Sequence, residues 1–253
     1  MIAKRIALLV PSRERADFKQ RLINSLILTA NSTDNFTLYF GVDDDDPEKE
    51  LALKLTEEYN FVKVVEIHNE GKFIGLSKIW NQCARESTEE ILSMIGDDMI
   101  FISKNWDTEI INEFTGDNLP KDKIKMVYCR DGHFNGRLAV NHFLHRRYLE
   151  INGYYMREEF MSWGVDTWIH LVFRSMNRHK YRNDIHIEHK QHGIQNKSQK
   201  ADNATSRIRS NGFGNSVSIQ AKTYGKRLEE VRRFYYLLGI EYNPKLLHRS
   251  TLF

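Results

Sequence analysis

Asp97 and Asp98 stand side by side in a stretch that is otherwise almost wholly apolar, residues 90–102, Glu-Ile-Leu-Ser-Met-Ile-Gly-Asp-Asp-Met-Ile-Phe-Ile. A short run of Ile, Leu, Met and Phe predicts a buried strand, and a buried strand carries Asp only when something pairs with it. A divalent cation would do so. Two neighbouring carboxylates away from water repel each other and take up protons, whereas a cation keeps both ionised. Gly96, lacking a side chain, would let a ligand approach the backbone closely. The plainer reading is a tight Gly-Asp-Asp turn joining two short strands at the surface. Three further groups have chemistry that suits such a site. Four consecutive aspartates, Asp43 to Asp46, precede Pro47. His186, His189 and His192 fall within seven residues of an alternating stretch, with His186 and His192 on one face and His189 on the other. Imidazole is a common metal ligand, although a partly exposed edge strand is the ordinary alternative. Asp166 opens a helical pattern and offers a carboxylate that could accept a proton, although capping alone would account for an Asp there.

These groups need a scaffold that brings distant positions together, and the first hundred residues predict one. Residues 5–10 form a strand, and Pro11 to Asp17 lead into a helix with Phe18, Leu22, Ile23, Leu26 and Ile27 on its buried face. A strand, a short loop with Ser12 and Arg13, then a helix presents backbone N–H groups and a guanidinium to a phosphate or a base. The second strand, 36–42, ends at the aspartates, and Pro47 opens a helix over 48–58 for which one aspartate would serve as cap. A third strand covers 61–67. A glycine-containing loop, 69–75, runs into a helix that packs Leu76, Ile79, Trp80 and Cys83, and the Asp97-Asp98 strand follows. Strands alternating with helices predict a mostly parallel sheet whose ligands sit at the carboxyl ends of the strands. Ser12, the Asp43 cluster and Asp97-Asp98 all fall at such ends. Beyond residue 104 the pattern changes to a short helix over 106–114, strands over 125–129 and 138–143, and a short helix over 148–152 ended by Gly153. A helix over 167–176 with Trp168, Ile169, Val172 and Phe173 inward and a strand over 185–192 follow. Residues 193–216 hold Asn, Ser, Gly, Lys and Arg with little to bury and predict a mobile loop or lid, and a helix runs from about 218 to 238.

With 253 residues, 41% hydrophobic and 28% charged, the composition is that of an ordinary globular chain with room for one large domain or two small ones. The apolar N-terminal run stops at Pro11 and meets Arg13, Glu14 and Arg15 without a small-residue cleavage site, so it reads as a strand rather than a leader. No stretch reaches the apolar length of a membrane span. Cys83 and Cys129 give neither a disulfide framework nor metal-ligand spacing and point to two buried thiols in a reducing cytoplasm. The net charge of +3 is uneven: residues 128–253 hold 21 Lys and Arg against 11 Asp and Glu, and residues 1–127 hold 16 against 23. An acidic half that holds a cation and a basic half that meets an anion would explain this, as would an accidental surface bias.

Taken together the segments resemble the GT-A fold of nucleotide-sugar glycosyltransferases, particularly the family-2-like group, and their compact Lys- and Asn-rich style is similar to virally (phage) encoded members. The likeness covers roughly residues 4–205 and lies in the order of several weak motifs. Leu9-Val10-Pro11-Ser12-Arg13 looks like the opening strand and nucleotide-contacting loop. Val42-Asp43-Asp44 stands where the family places an aspartate against the base. Gly75 through Asn81, with Lys78 between, resembles the segment lining the diphosphate side. Gly96-Asp97-Asp98 takes the place of the metal-binding Asp-x-Asp; its first acid would align with Gly96, so the metal role passes to Asp98 with Asp97 second. Trp163-Gly164-Val165-Asp166 resembles the segment that supplies the catalytic base of inverting members. His189-x-x-His192, followed by Asp202, looks like the late segment that supplies a further metal or phosphate ligand.

The resemblance implies an α/β, Rossmann-like, mostly parallel central sheet flanked by helices, with a C-terminal helical extension. It implies a catalytic domain over 1–192, divided into a nucleotide-sugar-binding half (1–103) and an acceptor-side half (104–192), then the lid (193–216) and a helix and tail (217–253). The activity implied is transfer of a hexosyl or pentosyl group from a nucleotide-diphosphate sugar, with UDP favoured, to a hydroxyl. Mn²⁺ or Mg²⁺ would be held by Asp98, His189 and His192, and Lys197 or Lys200 of the lid would add positive charge. The acceptor is either a hydroxymethylated base in phage DNA or a surface glycan or lipopolysaccharide, and the location is cytoplasmic, the host's if viral. Two readings from other classes are a template-dependent nucleotidyltransferase, for which Gly-Asp-Asp is also a mark, and a non-catalytic nucleic-acid-binding protein.

Overall fold

β1 (Ile6–Pro11) is buried along its whole length, and both of its faces are covered. Ala7 and Leu9 point into one apolar cluster and Ile6, Leu8 and Val10 into another, the alternation that a strand between two helical layers requires. The computed structural model describes residues 5–190, 206 and 223–239. Helices α1 (Ala16–Thr29), α2 (Lys49–Glu58) and α3 (Leu76–Glu86) link β1 to β2 (Phe36–Asp43), β3 (Val62–Ile67) and β4 (Ile91–Met94). These four strands pair in parallel in the order β3-β2-β1-β4. The remaining elements are β5 (Met99–Phe101), α4 (Trp106–Glu113), β6 (Met126–Arg130), β7 (His142–His145), α5 (Arg147–Asn152), α6 (Val165–Ser175), β8 (His179–His189) and α7 (Tyr224–Leu238). They extend the sheet as β4-β7-β6-β8-β5, with β7 antiparallel to β4 and β6, β8 parallel to β6, and β5 antiparallel to β8. The result is the expected α/β sheet, parallel in its first half and mixed in its second, with the C-terminal helix packed on it.

Each layer follows from sequence. Leu22, Ile23 and Leu26 of α1, Ala52 and Leu55 of α2, and Trp106 and Ile110 of α4 cover one face. Ile79, Trp80 and Cys83 of α3, Trp168, Ile169 and Val172 of α6, and Val231 and Phe234 of α7 cover the other. Each large apolar side chain buried in this way contributes about 1.5–3 kcal/mol. Ile27, expected inward on α1, is 43% exposed, because the inward face runs through Leu22, Ser25, Leu26 and Thr29 and turns Ile27 away from the sheet. Gly41 lets α3 lie against β2: a Cβ there would stand 2.4 Å from an Ile79 methyl and 2.9 Å from the Cys83 sulfur.

Two expectations are corrected. The stretch 90–102 is not one strand: β4 ends at Met94, the chain turns at Gly96-Asp97-Asp98 with a Met99 N–H to Gly96 carbonyl bond, and β5 departs to pair with β8. This is the tight turn between two short strands that the plainer reading offered, partly covered rather than at the open surface: Asp97 is 4% exposed, and Gly96 and Asp98 are half-buried. The strand expected over 138–143 starts only at His142. Residues ahead of it are held as a loop: the Asp131 carboxylate accepts the Phe134 and Asn135 N–H groups, and the Asn141 side chain accepts the Cys129 N–H and donates to the Ile187 carbonyl. Among the described residues no helix is long and apolar enough to cross a membrane. His192, Lys197, Lys200, Asp202 and, save Ser206, the whole expected lid lie outside the described residues.

Candidate functional site

The sheet order reverses at β1, with β2 on one side and β4 on the other, and at such a point the loops leaving the carboxyl ends diverge and leave a crevice. A cleft of about 430 Å³, including its open mouth, lies there. Pro11, Ser12, Arg13 and Arg15 from the β1–α1 loop form one wall, Gly41 and Asp43 of β2 and Asp97 of the turn form the floor end, and Phe73, Leu76 and Ile79 supply an apolar side. A small polar group set against an apolar wall is what a base and ribose would need.

The four aspartates after β2 have separate tasks. Asp43 and Asp45 both bind the Arg13 guanidinium, Asp43 at 3.1 Å. Asp44 points away from the cleft loop to His68 Nδ1 at 2.5 Å. The Asp46 carboxylate accepts the Glu14 and Glu48 N–H groups, so it holds the β1–α1 loop and the start of α2 together. Arg13, the cation singled out in the sequence, is thus already ringed by carboxylates. Arg15, which sequence reading passed over, reaches Asp97 Oδ1 at 2.8 Å, and the Ser12 hydroxyl donates to Asp97 Oδ2 at 2.8 Å. Burial pushes the Asp97 carboxyl above its ordinary value; Arg15, Ser12 and Lys19 pull it back, while Asp98 adds to the rise. Lys19, 1% exposed beneath the loop, is held below its usual value by the same burial.

Asp98 and His189 meet across the β5–β8 ladder. Met99 pairs with His189, the Lys190 N–H donates to the Asp98 carbonyl, and the two side chains lie with Nε2 3.3 Å from Oδ2. Burial opposes a charge on His189, but Asp98, Asp131 and Asp166 outweigh it and lift the imidazole above its ordinary value. Asp166 sits in the first turn of α6, half-buried, with Oδ1 accepting the Thr167 N–H at 2.7 Å. Gly164, at φ 92°, takes the N-cap position, and Asp166, one residue into the helix, serves a first-turn N–H and the helix dipole with its carboxylate. Burial raises its carboxyl, against the pull of the Thr167 N–H and of His189.

A carboxylate oxygen with an imidazole nitrogen suits Mn²⁺ better than the oxygen-seeking Mg²⁺, and two ligands cis on an octahedral ion with bonds of about 2.1 Å lie about 3 Å apart. The spacing of Asp98 and His189 therefore fits such an ion. Among the described residues, no third His, Cys, Asp or Glu completes a ligand group. His186, the alternative imidazole, lies on the other face of β8, close to Gly132.

Other positions named from sequence lie at a remove. Asn81 is fully buried below the cleft, and its amide is committed: Oδ1 accepts the Tyr155 and Met156 N–H groups and Nδ2 donates to the Met156 carbonyl and Glu158. It holds the segment leading to Asp166 and has no group left for a phosphate. Gly75, at φ 98°, caps α3 where the Leu76 N–H meets the Met161 carbonyl at 2.6 Å; a Cβ would come within 3.2 Å of the Met161 backbone. Both pack between the cleft and the segment that leads to Asp166. Lys78 is exposed on the first turn of α3. Phe73 and Asp131 belong to the region but gave no signal in sequence.

No sequence family and no curated protein matches the chain. Solved structures do match in fold. The mannosyltransferase PcManGT from Pyrobaculum calidifontis, in complex with GDP-Man and Mn²⁺, aligns over 98% of this chain and 69% of its own, with TM-score 0.62 and 14% identity. S. aureus TarS 1–349 in complex with UDP aligns over 73% of this chain at TM-score 0.56 and 14% identity, and the chain spans only 60% of that protein's length. The same protein with UDP-GlcNAc gives 92% and 73% coverage, TM-score 0.57 and 14% identity. At these identities the likeness establishes the fold, and the fold of this chain is the one on which those nucleotide-sugar complexes are built.

Proposed function

We propose that the chain is a metal-dependent glycosyltransferase that moves a sugar from a nucleotide-diphosphate sugar, a UDP-sugar by preference, to a hydroxyl acceptor. The observation that carries this reading is the meeting of Asp98 with His189 beside Asp97, at the edge of a cleft formed by the β1–α1 loop and Asp43. In it the nucleoside end occupies the cleft, residues 1–103 serve the donor and residues 104–192 the acceptor. Asp98 and His189 would hold Mn²⁺ or Mg²⁺, with His192 a further candidate ligand. Such an ion, when bound, offsets the charge that gathers on the departing diphosphate. Asp166 takes the proton from the acceptor hydroxyl as it attacks the anomeric carbon, which gives inversion. A half-buried carboxylate with a raised pKa is a stronger base than one in water, and general-base catalysis typically contributes ~10²–10⁴ in rate.

A DNA acceptor would call on the basic surplus of residues 128–253, and three of those cations are answered by carboxylates of residues 1–127. Arg178 pairs with Asp122, Lys180 with Glu113, and Arg182 with Glu109 and Glu113, each pair joining the two halves of the chain. A surface-glycan hydroxyl is therefore the acceptor we favour. A steep loss of acceptor binding with salt would instead indicate contacts to phosphates.

The test is calorimetric and kinetic together. Wild-type chain should bind UDP or a UDP-sugar with Mn²⁺ and lose that binding in EDTA and in Asp98→Ala, while Asp166→Asn should lose ~10²–10⁴ in turnover at unchanged donor affinity. Donor binding indifferent to EDTA and to Asp98→Ala would overturn the metal assignment, and full turnover in Asp166→Asn would overturn the base.

A further inference from the structure

The loop between β1 and α1 holds two consecutive non-glycine residues in the left-handed region, Glu14 at φ 56° and Arg15 at φ 61°. Such backbone costs free energy and persists only where its surroundings over-determine it. Here the restraint comes from three directions. The Asp46 carboxylate receives the Glu14 N–H at 3.0 and 3.1 Å, Lys19 donates from below to the Glu14 carbonyl, and the Arg15 guanidinium grips Asp97 at 2.8 Å. Ser12 takes the other Asp97 oxygen. Ser12, Arg13, Arg15 and Asp97 all line the cleft, and Asp97 is the neighbour of Asp98.

We propose that Arg15 is a positioning residue for the donor: through Asp97 it fastens the loop that receives the nucleotide to the turn that carries Asp98. The inference rests on the nucleotide-sugar reading of the cleft and refines it. With each oxygen of Asp97 already held by a protein donor, Asp98 is the carboxylate of the pair presented to the cation, and the loop and turn are set before a ligand arrives. Fixing a binding loop in advance raises affinity because less order must be imposed on association. A side chain that only supported the fold would alter melting temperature and leave the affinity of the folded protein unchanged.

The experiment uses the full chain with Mn²⁺, titrated calorimetrically with UDP and, separately, with GDP. Arg15→Met should weaken binding at least tenfold, Arg15→Lys should recover most of the loss, and Asp97→Asn, which keeps the side-chain shape, should weaken binding similarly. The double variant Arg15→Met with Asp97→Asn should be little worse than either alone, because both remove one link. Amide hydrogen exchange over residues 12–18, measured without nucleotide, should be slow in the wild type and faster in Arg15→Met. Wild-type affinity in a folded Arg15→Met or Asp97→Asn variant overturns the proposal. If the wild type binds neither nucleotide, the nucleotide-sugar reading fails by itself, and exchange then decides the link: unchanged rates in the variants overturn it, faster rates support it.

Discussion

Replacing Asn81 separates support from contact in this site. Its amide makes four hydrogen bonds to one segment, residues 155–158, and the side chain is fully buried. Asn81→Ala would leave three backbone groups without a partner, the N–H groups of Tyr155 and Met156 and the Met156 carbonyl. Each buried orphan costs about 1–3 kcal/mol, and water entering the vacated space brings the sum toward the low end, ~3 kcal/mol. A domain of ordinary stability survives that loss. Asn81→Asp keeps the acceptor for both N–H groups but turns an oxygen toward the Met156 carbonyl and Glu158, so it should also destabilise, and adding Glu158→Gln should relieve it in part. The same segment continues to Met161, which is pinned to Leu76 of α3, and then to Asp166. A misplacement of about 1 Å at a reacting group costs ~10² in rate. Asn81→Ala should therefore lower kcat far more than it raises the Kd for UDP, which should stay within about twofold. Urea unfolding gives the stability, calorimetry the affinity and initial rates the turnover. An unfolding midpoint equal to that of the wild type would refute the hydrogen-bond argument, and a loss of UDP affinity as large as the loss of kcat would return Asn81 to the donor site.

Acid should destabilise the fold well above the range in which ordinary carboxylates titrate. Burial lowers His142 and His170 from 6.5 to about 4, so the unfolded chain takes up protons that the folded one refuses; stability is complete above 6.5 and falls as pH drops toward 4. Two shifts of that size amount to roughly 2 kcal/mol each by pH 5, with the raised carboxyls of Asp97 and Asp166 acting in the opposite sense. Urea midpoints that stay flat from pH 7 to 5 would contradict it, and His142→Phe should flatten part of the slope. Gly75→Ala forces a side chain into a left-handed position 3.1 Å from the Met161 sulfur and should cost about 1–3 kcal/mol, read as a lower melting temperature; an unchanged one would show that the α3–Met161 contact can give way freely.

The parallel half of the sheet was legible because its signals are local. β1 and β2 are continuous apolar runs, each followed by a polar loop and a helical period, and the expected strand and helix positions match within a residue or two. At Gly96-Asp97-Asp98 the sequence left two shapes open, and the structure takes the turn. The same letters fit a strand or a turn, and what decides is whether the apolar residues after the acids pair with the strand before them or with another. They pair with β8, some ninety positions away, and no local pattern carries that. For the same reason His189 could be singled out by type, while its place beside Asp98 came only from the family resemblance and not from any local pattern. Asn81 shows the opposite limit: a motif fixes residue identity, and the same amide that could meet a phosphate can equally hold a buried backbone segment, as it does here.

The two aspartates of the turn differ in what the fold asks of them. Asp97 is held by its side chain, since Arg15 and Ser12 bind its oxygens from the neighbouring loop. Asp98 is held by its backbone, since its carbonyl receives the Lys190 N–H at 3.0 Å and β5 is secured by its ladder to β8. The placement of the Asp98 carboxylate opposite His189 thus follows from main-chain pairing and leaves the side chain itself free of structural duty beyond its contact with His189. A position of that kind can be altered at little cost to the fold, whereas a change at Asp97 lowers stability, because removing one member of a buried ion pair strands the other. On the proposed function, the chemistry falls to the residue that the scaffold positions without using, and the adjacent residue, identical in type, ties the turn to the β1–α1 loop.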